Sequence, residues 1–119
     1  MGSRKYNFID LTYLDKMSSG DRETKKMLLK MLIEEMQVAV PDMKLMFKGK
    51  KWRRLKEASH KMKSTLAFVG NKKMLKSNHT IWKAMQAECP GMQLLEHFRV
   101  IERLSPSIIS ELQAEYDLL

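Results

Sequence analysis

The chain has 119 residues, 44% apolar and 30% charged, with five glycines and three prolines, a balance that fits one mostly helical domain over 1–119, and read along its length it shows no internal repeat and no low-complexity tract. Its 22 Lys and Arg outnumber 14 Asp and Glu, and the formal charge of +8 favours an acidic protein surface, nucleic acid or anionic lipid without choosing among them. One cysteine, Cys89, excludes an internal disulfide framework, and no apolar run approaches the roughly 20 residues that span a bilayer.

A reducing, cytoplasmic compartment suits a lone thiol, and the N-terminus lacks the long apolar core of a secretory signal. Residues 1–6 are expected as a flexible tail, natural or left by cloning. The stretch NFIDLTYLDKMSSGD predicts a short first helix, with Leu11 and Leu14 on one side and the breaker Ser18-Ser19-Gly20 at its end. Asp21 is an N-cap candidate for a second helix, which the periodicity carries to Pro41. Leu28, Met31, Leu32 and Ala39 are its expected buried stripe, and Glu34 and Glu35 its wet side.

The third segment, WRRLKEASHKMKSTLAFVG, places Trp52, Leu55, Ser59, Met62, Leu66 and Val69 at alternating steps of three and four, the spacing of a core-facing stripe. His60 falls beside that stripe. Arg53, Lys56, Lys63, Ser64 and Ala67 stand three, four or seven residues from it and share its face, so the imidazole is expected in water among cations and small residues. The fourth segment carries Leu75, Asn78, Trp82 and Met85 at core spacing behind the cap candidate Asn71, and stops at Cys89-Pro90-Gly91. The last runs through Leu94, Phe98, Ile101, Ser105, Ile108, Leu112, Tyr116 and Leu119, with a kink or restart expected at Pro106. Four substantial amphipathic helices with short links and no strand signal predict an all-α protein, an antiparallel four-helix bundle with a short N-terminal helix as a lid.

The run HKMKSTLAFVG resembles the histidine-containing phosphotransfer domain of bacterial-type phosphorelays, in which a histidine is followed by a hydrophobic residue at +2, lysine at +3, a small residue at +4 and glycine at +10. Those positions are His60, Met62, Lys63, Ser64 and Gly70 here. Ser64 stands where the family usually has glycine; its side chain could narrow the approach to the imidazole or donate a hydrogen bond to a phosphoryl oxygen. The upstream order of a Leu-containing helix, a Gly-Asp turn and a second amphipathic helix is also similar.

The resemblance implies a phosphocarrier without kinase activity of its own, relaying a phosphoryl group between His60 and aspartates of response-regulator receiver domains in two-component signal transduction. It implies a receiver domain or a hybrid sensor histidine kinase as partner, no intrinsic cofactor, and a Mg²⁺ held by the partner receiver domain. The residue types suit that chemistry. An imidazole with an unperturbed pKa of about 6.5 is a nucleophile near neutral pH, and phosphoryl transfer depends mainly on in-line positioning and charge stabilisation. Lys63, one turn on, supplies a cation, while Ser64 and Ala67 leave lateral room. Gly70 suits a left-handed helix end. Arg53 and Lys56, with Lys72, are expected to steer a partner, and Ala67, Tyr13 and Leu14 to supply its apolar contacts.

Plainer readings stand beside these. A surface histidine is usually idle, and Arg53, Lys56, Lys61, Lys72 and Lys73 are ordinarily just solvated. His79 and His97 lack comparable neighbours and read as surface or rim positions. The 11 methionines follow the helical stripes and read as core filling rather than a copper site. Two other function classes remain, a basic helical nucleic-acid binder, for which KGKKWRR at 48–54 is the main knot, and a non-catalytic docking bundle indifferent to His60. A monomer with no small-molecule substrate and no membrane partner is expected.

Overall fold

Capping side chains and left-handed turns cut the chain into helices where the sequence carries them. The computed structural model describes residues 6–86 and 94–119, and these form five helices and no strand. They are α1 (Thr12–Ser18), α2 (Arg22–Lys48), α3 (Trp52–Val69), α4 (Lys72–Ala84) and α5 (Leu94–Leu118). Ser19 and Gly20, at φ 52° and 76°, reverse the chain after α1. The Asp21 carboxylate then accepts from Thr24 N at 3.1 Å and starts α2. Gly70, at φ 77°, closes α3, and Asn71 Oδ1 accepts from Met74 N at 2.9 Å to start α4. The expected stop at Cys89-Pro90-Gly91, and Cys89 itself, lie outside the described residues. Among the described residues no helix is long and apolar enough to cross a membrane.

Each long helix contributes one buried stripe to a shared core. The α3 stripe is the expected one, with Leu55, Ser59, Met62, Leu66 and Val69 all buried and Trp52 half-buried. On α2 the buried face is Leu29, Leu32, Ile33, Met36, Val40 and Met43. That corrects the expected stripe, because Met31 is 54% exposed and Leu28 and Ala39 are only half-buried. On α4 the expected Asn78 and Met85 are buried, joined by Met74, Ser77 and Ile81, while Leu75 and Trp82 are only half-buried. In pairs, α2 packs on α3 and α5, and α4 packs on α3 and α5, so the four long helices close a ring; α1 leans on α2 and α3.

Neither internal proline ends its helix. A proline at position i removes the hydrogen bond to the carbonyl of residue i−4. For Pro41 and Pro106 those carbonyls belong to Gln37 and Glu102, and all four residues are exposed, so water can satisfy the freed oxygens. α2 therefore continues to Lys48, and α5 runs unbroken from Leu94 to Leu118.

The segment before α1 is strapped to the bundle. The Glu111 carboxylate accepts backbone N–H bonds from Asn7, Phe8 and Ile9 at 3.1, 2.8 and 3.1 Å, and Tyr6 Oη donates to Glu115 Oε1 at 2.6 Å. Tyr6 is thus part of the fold rather than of a tail. Lys25 completes the clasp, with Nζ 2.7 Å from Asp15 and 2.8 Å from Glu115. Burial alone would depress its pKa, but the hydrogen bonds to Asp15 and Glu115 and their charges outweigh it and raise the ammonium above its ordinary 10.5. A raised folded-state pKa gives stability that is complete below the unfolded value and lost as pH climbs through the folded one. Lys25→Met is therefore expected to destabilise the protein by about 1–3 kcal/mol at pH 7. The gap between variant and wild type should close above pH ~10.5, as urea melts across alkaline pH would show.

Candidate functional site

His60 stands at the middle of α3, exposed, directly after the fully buried Ser59. That neighbour fixes its base. Ser59 Oγ donates to Lys56 O at 3.0 Å, and Asn78 Nδ2 of α4 donates to Ser59 O at 2.9 Å, a buried cross-helix bond one residue from the imidazole. Asn78 is 2% exposed, and its Oδ1 is buried with no hydrogen-bond partner.

A cleft of about 320 Å³ lies between α3 and α4 at this point, with His60 and Lys63 on one wall and Lys76, His79 and Trp82 on the other. The Trp82 ring is 6.2 Å, centroid to centroid, from His60 and 5.9 Å from His79, nearly parallel to the latter at 28°. Two lysines and two imidazoles around one indole suit an anion held against an apolar wall. Among the described residues no group of three or more His, Cys, Asp or Glu is placed to hold a metal ion.

The sequence places several of these correctly and misses others. Lys63 shares the cleft with His60, and Met62 is buried beneath them at 1% exposure. Ser64 is exposed on the next position, and Ala67 is half-buried two turns on. Arg53 and Lys56 are exposed at two turns and one turn before His60, outside the cleft. Tyr13 is 45% exposed, its ring 5.0 Å from that of Phe68. Leu14 is a correction: it is fully buried at 0%, so it belongs to the core and offers a partner nothing. Lys72 lies at the start of α4 beside Gly70, in a separate hollow.

His79 keeps the exposed position expected of it, but it is not without neighbours, because α4 brings it to the wall opposite His60. The spacing of three between His79 and Trp82 was readable as one helix face, but pairing that face with His60 needed the packing of α4 on α3. His97 keeps a rim position, half-buried with Nδ1 3.3 Å from Ser77 Oγ. No protein-family model, curated protein or solved structure matches the chain.

Proposed function

We propose that the protein is a histidine phosphotransfer module, an antiparallel four-helix bundle of α2 to α5 with α1 laid against it, that carries a phosphoryl group on His60. The observation that carries this reading is an exposed imidazole on a helix whose opposite side carries the buried Leu55, Met62, Leu66 and Val69, with Lys63 one turn away in the same cleft. The donor or acceptor is an aspartate of a receiver domain, which brings its own Mg²⁺. In the forward step a lone pair of the neutral imidazole attacks phosphorus, the N–P bond forms, and the bond from phosphorus to the aspartyl oxygen breaks. Aspartate leaves as the carboxylate. The proton on the other ring nitrogen passes to water, and the return step reverses each of these events.

The surroundings of His60 serve that exchange. The phosphoryl group carries its charge on the equatorial oxygens, and Lys63 from α3 and Lys76 from α4 are cations within the same cleft. The bond from Asn78 to Ser59 O keeps the peptide before His60 in place while partners come and go. Exposed Arg53 and Lys56 steer an acidic receiver, and Tyr13 and Ala67 give apolar contact. The decisive experiment incubates the protein with a phosphorylated receiver domain and Mg²⁺ and tests for protein-bound phosphate that is labile to acid and stable to base. Acid-stable phosphate, or none, would overturn the reading.

Lys63→Ala is expected to slow transfer about 10- to 100-fold, equivalent to roughly 1.4–2.7 kcal/mol of transition-state stabilisation by one positioned cation. Single-turnover quench-flow gives the rate. An unchanged rate would leave Lys63 a solvated charge.

A further inference from the structure

On the other flank of α3, away from the His60 cleft, α2 and α3 enclose a second groove of about 420 Å³. Its apolar lining includes Met31 and Val38, 54% and 62% exposed, together with Met46. Three carboxylates, Glu34, Glu35 and Asp42, line it as well, against the ammonium of Lys61, which approaches Glu35 only at 3.9 Å. Locally, then, a chain of net charge +8 turns acidic where it also exposes large apolar side chains. The exposed apolar residues continue along α2 at Met27, Met31, Val38 and Leu45, in steps of four and seven. That is the repeat of one helix face.

We infer that this groove is a docking site for a cationic amphipathic helix of a partner protein. The chemistry selects that occupant. A helix laid along α2 presents apolar residues at i, i+3, i+4 and i+7 to a matching stripe, and methionine side chains adapt their shape to such a guest. Lysines or arginines flanking the guest's apolar face meet the exposed Glu34 and Asp42 and the half-buried Glu35, whose ion pair with Lys61 is long at 3.9 Å. A second copy of the chain is a poor occupant, because a two-fold pairing of α2 faces sets the same carboxylates against each other. An acidic helix meets the same repulsion. This site is independent of phosphoryl transfer at His60, whose cleft lies between α3 and α4.

The test uses the full chain and an 18-residue peptide of leucine and lysine patterned as an amphipathic helix, titrated by calorimetry. Two control peptides accompany it, one with the same residues scrambled and one with every lysine replaced by glutamate. Saturable one-to-one binding of the patterned peptide is expected, with both controls bound at least about tenfold more weakly. The double variant Glu34→Lys/Glu35→Lys, and separately Val38→Ser, should each weaken binding about tenfold. Glu96→Lys/Asp117→Lys, which makes the same charge change at exposed positions elsewhere, should leave it within about twofold. Equal binding of the scrambled peptide, or equal weakening by the remote charge pair, would reduce the effect to general electrostatics and overturn the assignment. Failure of the patterned peptide to bind, or self-association of the chain that Val38→Ser abolishes, would overturn it too. His60→Gln should bind the peptide unchanged, so failure of phosphoacceptance and failure of this site are read separately.

Discussion

His60→Gln is expected to abolish phosphoryl acceptance while the fold stays intact. Glutamine keeps a polar side chain of similar reach but has no ring nitrogen with a nucleophilic lone pair. The loss should therefore be complete within the detection limit rather than a graded slowing. Stability should change by less than about 1 kcal/mol, because the side chain is exposed and its neighbours Ser59 and Met62, not His60, are the ones buried in the core. The experiment pairs a phosphorylation time course with a urea melt of the same preparation. Phosphate retained on the variant would move the acceptor elsewhere, with His79 across the cleft the next candidate. His79→Gln in parallel decides between them: if the assignment is right, that variant still accepts phosphate.

The contrast between these two histidines shows which parts of the molecule could be read from the chain. On α3, apolar and polar residues separate cleanly, so steps of three and four identify both the buried stripe and the exposed position of His60. On α2 they do not. Met27, Leu28, Leu29, Met31, Leu32, Ile33, Met36 and Val38 spread round most of its first half and leave only a narrow polar stripe through Lys26, Lys30, Glu34 and Gln37, so more than one buried stripe fits the pattern. Packing on α3 and α5 chose the stripe through Leu29 and Met36 and left Met31 and Val38 outside. The prolines misled for a local reason: their cost depends on whether the freed carbonyl is wet, which the residue four positions earlier decides only once the helix is oriented. His79 was hidden for a different reason. Periodicity within one helix says nothing about which face of the next helix it meets, and the cleft is made by two.

Gly70→Ala should be the most destabilising glycine-to-alanine change among the described residues, about 3 kcal/mol or more. Two costs combine there. The left-handed conformation at φ 77° costs a residue with a Cβ roughly 1–2 kcal/mol. That Cβ would also sit 2.3 Å from Asp10 O and 2.9 Å from Asp10 Cβ, well inside contact distance. Relief requires the strap to move, and the strap is held on both sides of the contact. Asp10 N donates to Val69 O at 2.9 Å, Asn71 Nδ2 donates to Phe8 O at 2.8 Å, and Ile9 and Leu11 are buried. Each such hydrogen bond contributes about 0.5–1.5 kcal/mol, so shifting the strap is no cheaper than tolerating the overlap. Gly20 supplies the internal control. It has nearly the same φ, 76°, but nothing within 4 Å of an added Cβ. Gly20→Ala should therefore show the conformational cost alone, and the difference between the two variants in urea melts measures the contact with Asp10. Equal losses would mean that the strap yields freely. A larger loss at Gly70 would assign this glycine to the close passage of the strap over the end of α3, a structural duty separate from any phosphoryl chemistry at His60 ten residues before it.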